Sequence, residues 1–473
     1  MAQTSSRRPG PFLPLAAEIR QAILCQFDDV ATLESASAAD CSLGAAFSGS
    51  PSIVLARVLH NAIPSELLPE AQALQASYNL DSKSRTVERV TKIVDAFVRR
   101  EPADFTKWAL PEARYVSGLA PVVEFFIDDF ASLACSRRRN TTATVAPISS
   151  SERCRIARAF YRFEIYCNLF RPYRRVSLDA ETQRELFIRQ FAPWETEQLC
   201  CVYDYLVEKI TPAYNDIAEH DIQWGEFSVP FDAGHHNAEE CYDHAVSLGL
   251  SSIHQAVTAM TYEERYEVLS KHFGFGDDFL LETLWQCRSM EEYGRPLSDY
   301  DEVTKHALIA PPALDDPDPG PRDIWYWVHA ENSSEEFIYS ERHRYLRRRG
   351  YVMWDISRLR QEWKLLDGHY ADPPDEALEP LDNRPELTPN LEEMYDSWKR
   401  RSKIYAAGGR GWWSKDDESK VVYPTRTDAD VRREVQREPL PDTWQPFIEF
   451  QKTFSLSQRL ESLKVNQEKE SEM

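Results

Sequence analysis

The chain has 473 residues and a net charge of −22, from 77 acidic and 55 basic side chains. That balance disfavours general attraction to nucleic acid and to anionic membrane surfaces. No stretch approaches the roughly 20 consecutive apolar residues of a bilayer-spanning helix, and 12 Trp, 21 Tyr and 22 Phe argue against wholesale disorder.

At the N-terminus, Arg7 and Arg8 precede a short apolar run that Pro9, Pro11 and Pro14 interrupt and Glu18 ends. A secretory or twin-arginine signal needs a longer unbroken apolar segment. The nine cysteines are an odd number and include no CxxC pair. They read as reduced, largely buried thiols. The expected location is intracellular, cytoplasmic or nuclear.

Residues 13–80 read as several short helices. Leu15, Ile19, Ile23, Leu24 and Phe27 form one helical stripe before Asp28 and Asp29, and Leu33, Ala36, Ala39 and Leu43 form a second. Ile53, Leu55, Val58, Leu59 and Ile63 form a third, which Pro64 stops. Between 82 and 100, Val87, Val90, Ile93, Val94, Phe97 and Val98 make the cleanest amphipathic helix. A looser region follows to about 150. The spacing then predicts a helix through Ile156, Phe160, Phe163, Cys167 and Phe170, and another entered near Pro193 that carries Leu199, Val202, Leu206 and Ile210.

Thr261 with Glu264, and Ser333 with Glu336, are capping-box patterns; the helices they open are expected to end at Gly274 and Gly350. A helix is expected over 391–406, ending at Gly408-Gly409, and an amphipathic segment near 453–464 precedes a charged tail. Strand signals are scarce, although residues 419–425 have the composition to pair locally. Two Pro-rich stretches, 310–322 and 370–389, read as surface loops. The expected fold is mainly α, an irregular multi-helix globular array with long Pro-rich loops and few or no strands. The expected divisions are 1–80, a helical domain over 81–309, a helical and irregular region over 310–460, and a disordered tail over 461–473.

The opening segment, with Leu13-Pro14, Glu18-Ile19, Ile23-Leu24, Phe27, a two-Asp break and Leu33, resembles the F-box. That resemblance implies a short helical module that docks a ubiquitin-ligase adaptor through an apolar surface formed by Leu13, Pro14, Ile19, Ile23, Leu24 and Phe27. Two features depart from the family. Three residues, rather than one, separate Pro14 from Glu18, and Phe47 is the nearest residue to the usual Trp. The runs LARVLHNAIPSELLPEAQAL, RAFYRFEIYCNLF, FAPWETEQLCCVYDYL, AEHDIQWG and GYVMWDISRL resemble uncharacterised proteins of filamentous fungi, many of which begin with an F-box-like segment. This wider resemblance implies a family and no activity.

Three other features have the composition of a site. Between 219 and 244, Glu219, His220, Asp221, His235, His236, Glu239, Glu240, Cys241, Asp243 and His244 supply ligand types that zinc prefers, without HExxH, CxxC or finger spacing. A solvated His/Glu loop leading into a helix explains them equally well. Residues 137–175 hold ten Arg against Glu152 and Glu164, interleaved with aromatics. Core packing of the aromatics with outward Arg is the reading preferred here; an acidic loop of the same chain is another partner for these cations, since residues 367–396 hold ten acids and one base. The Trp residues read as core anchors, with Trp412-Trp413 as an exception suited to a partner surface.

No GxSxG elbow, phosphate-binding loop, dinucleotide fingerprint or kinase set occurs. No catalytic residue, metal ligand or cofactor is therefore assigned. The reading favours a non-enzymatic protein-interaction protein, an F-box-like substrate adaptor of a cullin-type ubiquitin ligase. A metal-binding or hydrolytic enzyme centred on 219–244 and a structural scaffold without a docking module are the alternatives.

Overall fold

Four short helices open the chain in the computed structural model: α1 (Ala17–Leu24), α2 (Val30–Ala39), α3 (Cys41–Gly49) and α4 (Pro51–Ala62). The structure describes residues 11–423 apart from 79, 81–84, 102–103, 138–145, 172–177, 224–235, 271–278, 288–295, 304–315, 333–336 and 368–390. Local chemistry sets the ends of these helices. Asp29 caps α2 by accepting the Thr32 N–H, and Asp40 caps α3 by accepting the N–H groups of Ser42 and Leu43. Pro51 occupies the first turn of α4, where its missing N–H costs no helical bond. At Gly44 the chain packs so closely that a Cβ would lie 2.7 Å from the Ser37 carbonyl oxygen, which holds α2 against α3.

The body follows as α5 (Leu68–Tyr78), α6 (Val87–Val98), α7 (Leu110–Ser136), α8 (Ser150–Phe170), α9 (Ala180–Leu186) and α10 (Pro193–His220). Helix α6 behaves as its sequence predicts, with Thr86 as cap and Val90, Val94 and Phe97 buried. Helix α7 corrects the expectation of a loose region to about 150: it is continuous for 27 residues. Gly118 and the internal Pro121 mask a stripe of Val116, Leu119, Val123, Phe126, Ile127 and Phe130 whose spacing is helical. Burial of that stripe outweighs the hydrogen bond lost at Pro121. Helix α8 starts at the Ser149–Glu152 capping box and is buried around its circumference. A helix that is covered on every side is the centre of its domain.

Shorter helices complete the array: α11 (His236–Val246), α12 (Leu250–Thr258), α13 (Tyr262–Leu269), α14 (Leu280–Gln286), α15 (Gly320–His329), α16 (Arg344–Arg347) and α17 (Leu391–Ala406). Thr261 and Glu264 form the predicted capping box, whereas the expected end at Gly274 lies outside the described residues. The capping box expected at Ser333 and Glu336 lies outside the described residues; from 337 onwards the expected helix is confined to a 3-10 turn, Glu341–His343, and the four residues of α16. Tyr339 explains this: its φ of +54° leaves helical space, and its N–H donates to the buried Glu197 carboxylate instead of a helical carbonyl. Gly350 does take the left-handed conformation, with φ +59° and ψ +40°. Of the first Pro-rich stretch, residues 316–319 are irregular with Pro317 and Pro319 exposed, Asp316 and Asp318 tie it to the body, and Gly320–Arg322 belong to α15. The second, 370–389, and the segment near 453–464 lie outside the described residues.

The fold is thus mainly α. Among the described residues the sole sheet is a two-stranded antiparallel pair, β1 (Arg410–Gly411) with β2 (Val421–Val422). One apolar cluster of buried residues extends from Leu24 to Leu359, and a small separate cluster of Ile222, Ile404 and Trp413 serves the C-terminal elements. No single helix among the described residues is long and apolar enough to cross a membrane; a bent pair, α3 with α4, passes that test only on length and composition and turns through 98°.

Candidate docking surface

The N-terminal stripe divides between two environments. Leu13 is 53% exposed, Leu15 36% and Ile19 51%, and Pro14 is exposed beside them. Ile23 and Phe27 are half-buried, with Phe27 packed against the main core. Leu24 is fully buried in that core and has no surface to offer a partner, which corrects its place in the expected docking set. Its side chain is an anchor. Exposed large apolar side chains are informative when they sit together, and Leu13 to Ile19 are consecutive in a turn and the first turn of α1, with Leu15 N–H donating to Phe12 O at 3.1 Å. Leu15, on the same stripe but outside the expected docking set, is exposed with them.

The segment is held in place from its polar side. Arg20 donates to Ser42 O at 3.2 Å and Gln21 to Ala46 O at 3.1 Å, fastening α1 to α3. Asn61 Nδ2 donates to the carbonyls of Cys25 and Phe27, both at 2.9 Å, closing the end of α1 onto α4. Helix α2 is tied to α7 by Val30 N–H donating to Ser117 Oγ at 3.1 Å and by a two-pronged Arg114–Glu34 ion pair. The Arg114 hydrogen bond holds the Glu34 carboxyl below its usual range. These ties fix the backbone while leaving Leu13, Pro14, Leu15 and Ile19 facing solvent.

Part of the arginine-rich tract departs from its preferred reading. Arg153 is partly exposed and pairs at the surface with Glu124 and Asp128, and Arg138, Arg139, Arg174 and Arg175 lie outside the described residues. Arg155, Arg158 and Arg162 of α8 point inward and are buried with the aromatics. Arg155 binds Asp316 through two hydrogen bonds of 2.8 and 2.9 Å, Asp355 through two of 3.2 Å, and Met353 O at 2.7 Å. Arg162 pairs with Glu195 and lies over Phe191, 4.5 Å from the ring centre. Glu152 accepts two hydrogen bonds from Arg358, at 2.8 and 2.9 Å. Deeper still, Arg347 pairs with Asp204 at 2.8 Å and donates to Ser340 O at 2.6 Å. A charge is retained inside a protein only when paired and hydrogen-bonded. These guanidiniums are internal fasteners between α8, α10 and the 316–358 segment, and none is available to a phosphate backbone.

The described members of the His-rich stretch have separate partners. His235 lies outside the described residues, and of Glu239, Glu240 and His236 only the helical backbone is described. His220 Nδ1 is 3.0 Å from Trp413 O, Asp221 accepts from Tyr262, and Asp243 accepts the Leu281 N–H at 3.3 Å. Cys241 is buried. No group of three or more His, Cys, Asp or Glu among the described residues is placed to hold a metal ion. Cys200 and Cys201 are buried, and desolvation pushes both thiols well above their usual range.

The Trp residues follow the anchoring rule. Trp325 and Trp354 are fully buried and donate to Phe337 O and Arg349 O at 3.1 and 2.8 Å. Trp413 is also buried, and the half-buried Trp412 is flanked by His220 and Lys420, so this pair is no free partner surface. In comparisons of the chain with protein-family models, curated proteins and solved structures, nothing matches.

Proposed function

We propose that this chain is a non-enzymatic protein-interaction protein whose F-box-like N-terminal segment docks the adaptor of a cullin-type ubiquitin ligase. The observation that supports this reading is the division of one helical stripe: Leu13, Pro14 and Ile19 face solvent while Leu24 anchors the segment in the core. Exposing apolar side chains on a braced backbone is costly for a lone domain and useful for a docking one. In this reading Leu13, Pro14, Ile19 and the accessible parts of Ile23 and Phe27 contact the adaptor, and the helical body carries the surface that selects a substrate. The location is then intracellular, cytoplasmic or nuclear, where that machinery works.

Affinity purification of the full chain from cells is the test. The wild type is expected to bring down the adaptor and cullin, and the Leu13→Ala/Pro14→Ala double variant to lose both. Recovery of neither by the wild type overturns the reading and leaves a scaffold in which the N-terminal helices belong to the main fold.

A further inference from the structure

The C-terminal elements are fastened to the body at one place. Helices leave their last carbonyl groups without internal partners, and at the end of α10 three consecutive carbonyls are taken by the segment 391–422. Ser397 Oγ donates to Glu219 O at 2.9 Å, Trp413 N–H to His220 O at 2.9 Å, and Arg401 to Asp221 O at 2.7 Å. Beneath these bonds lies the separate apolar cluster of Ile222, Ile404 and Trp413, with Tyr405 and Val421 against it. Helix α17 ends at Ala406, and Gly408, with φ +83°, turns the chain into the β1–β2 hairpin. Residues 391–422 thus form a strap with its own small core and its own set of bonds.

His220 sits in the middle of this fastening. Its Nδ1 is 3.0 Å from the Trp413 carbonyl, which only accepts, so Nδ1 carries the hydrogen and Nε2 is the atom that takes a second proton. The ring packs on Trp412 with centroids 4.6 Å apart, and the Lys420 ammonium lies 4.3 Å from the centre of the same indole. Arg401, buried from α17, is a further cation nearby. Of the nearby carboxylates, Asp216 is engaged by Arg265 at 2.6 Å and Asp221 by Tyr262. Glu219 precedes His220 in α10, Tyr262 and Tyr266 of α13 lie about Asp221, and the strap's own Glu418 accepts from Trp413 Nε1 at 3.0 Å and pairs with Arg400.

We infer that the strap 391–422 is a pH-sensitive closure, docked on the end of α10 while His220 is neutral and released when His220 is protonated. The Trp413 carbonyl and Asp216 favour a second positive charge on this ring, while burial, Arg401 and the Lys420 ammonium on the shared indole oppose it and prevail. Burial also holds the His220 imidazole below its ordinary value of 6.5. For a histidine depressed in the folded state, stability is complete above the ordinary value and falls as pH drops towards the folded one. Docking is therefore full at neutral pH and weakens on mild acidification, uncovering Trp412, Trp413 and the last carbonyls of α10.

Hydrogen exchange on the full chain, corrected for intrinsic rates, tests this between pH 7.2 and 5.8. Protection of peptides within 397–422 is expected to fall about threefold or more in the wild type, while α8 stays protected. His220→Gln keeps a donor for the Trp413 carbonyl and takes up no proton, so its strap protection is expected to stay level. Lys420→Gln removes the rival cation and is expected to move the opening to lower pH; it decides the matter if His220→Gln fails to dock at any pH. An equal loss in wild type and His220→Gln, or no strap-specific loss in the wild type, or an unmoved Lys420→Gln profile, overturns the inference.

Discussion

Arg155 keeps its whole guanidinium inside the protein, and its partners determine what happens when it is removed. Arg155→Ala leaves Asp316 and Asp355 facing each other without their cation, which is expected to cost about 3–5 kcal/mol of stability by urea titration. Asp316→Asn is expected to cost less, because Asp355 continues to pair with Arg155. Burial opposes ionisation of Asp316, and Arg155 outweighs it, holding the carboxyl below its ordinary 3.8. A depressed carboxylate stabilises above its ordinary value and loses that contribution as pH falls through its folded value. The gap between wild type and Asp316→Asn is thus expected to shrink below about pH 4 in acid unfolding curves. Pairing with acids of the same chain was one reading of the sequence, but its partners were not legible, since Asp316 and Asp355 lie outside the expected acidic tract 367–396. The tract was visible as ten arginines, but Asp316 and Asp355 lie 161 and 200 residues from Arg155 along the chain.

Among the elements, α7 and the α2–α3 pair show how a glycine is read by its surroundings. Gly118 is an exposed residue in the interior of α7, and a Cβ there meets nothing within 4 Å. Gly118→Ala is expected to stabilise by about 0.5–1 kcal/mol, since only the entropy of the unfolded chain changes. Gly44 lies in α3 at a close approach to α2, where the added methyl meets the Ser37 carbonyl at 2.7 Å. Gly44→Ala is expected to destabilise by about 1–3 kcal/mol through backbone displacement. Thermal unfolding of both variants checks the contrast, and a shift in the same direction for both contradicts it. Caps and stops were legible where they are local: Thr261, Gly350 and Gly408 each act within a turn of their own helix, whereas the caps Thr86 and Ser149 emerged only in the structure. The length of α7 was not, because an internal Pro and Gly lower local propensity while tertiary burial restores the helix.

At the scale of the whole molecule, the N-terminal helices share the main core while presenting an apolar edge. Leu24 belongs to the core cluster that continues through α8 and α10 to Leu359. Leu24→Ala is expected to lower stability by about 2–5 kcal/mol. Leu13→Ala/Pro14→Ala is expected to leave it within about 0.5 kcal/mol, since both side chains face water. A folded double variant that no longer captures the ligase adaptor therefore separates docking from folding, and a double variant as unstable as Leu24→Ala contradicts the proposed surface. The buried ion pairs act at this scale too. Arg155, Arg162, Arg347 and Arg358 each join segments far apart in sequence, so the array is fastened by directional contacts as well as apolar packing.

By itself the sequence determined the helical class, most helix starts, the left-handed stops and the pairing of a short C-terminal β segment. Those depend on spacing and on bonds that reach only three or four residues. The tertiary structure alone decided which apolar residues of the first stripe face water, where the arginines point, and that Trp413 and the end of α10 close on each other. These outcomes depend on the environment supplied by residues tens to hundreds of positions away. A helical period places Ile19, Ile23 and Leu24 on one face; only their neighbours in space place Leu24 in the core and Ile19 at the surface.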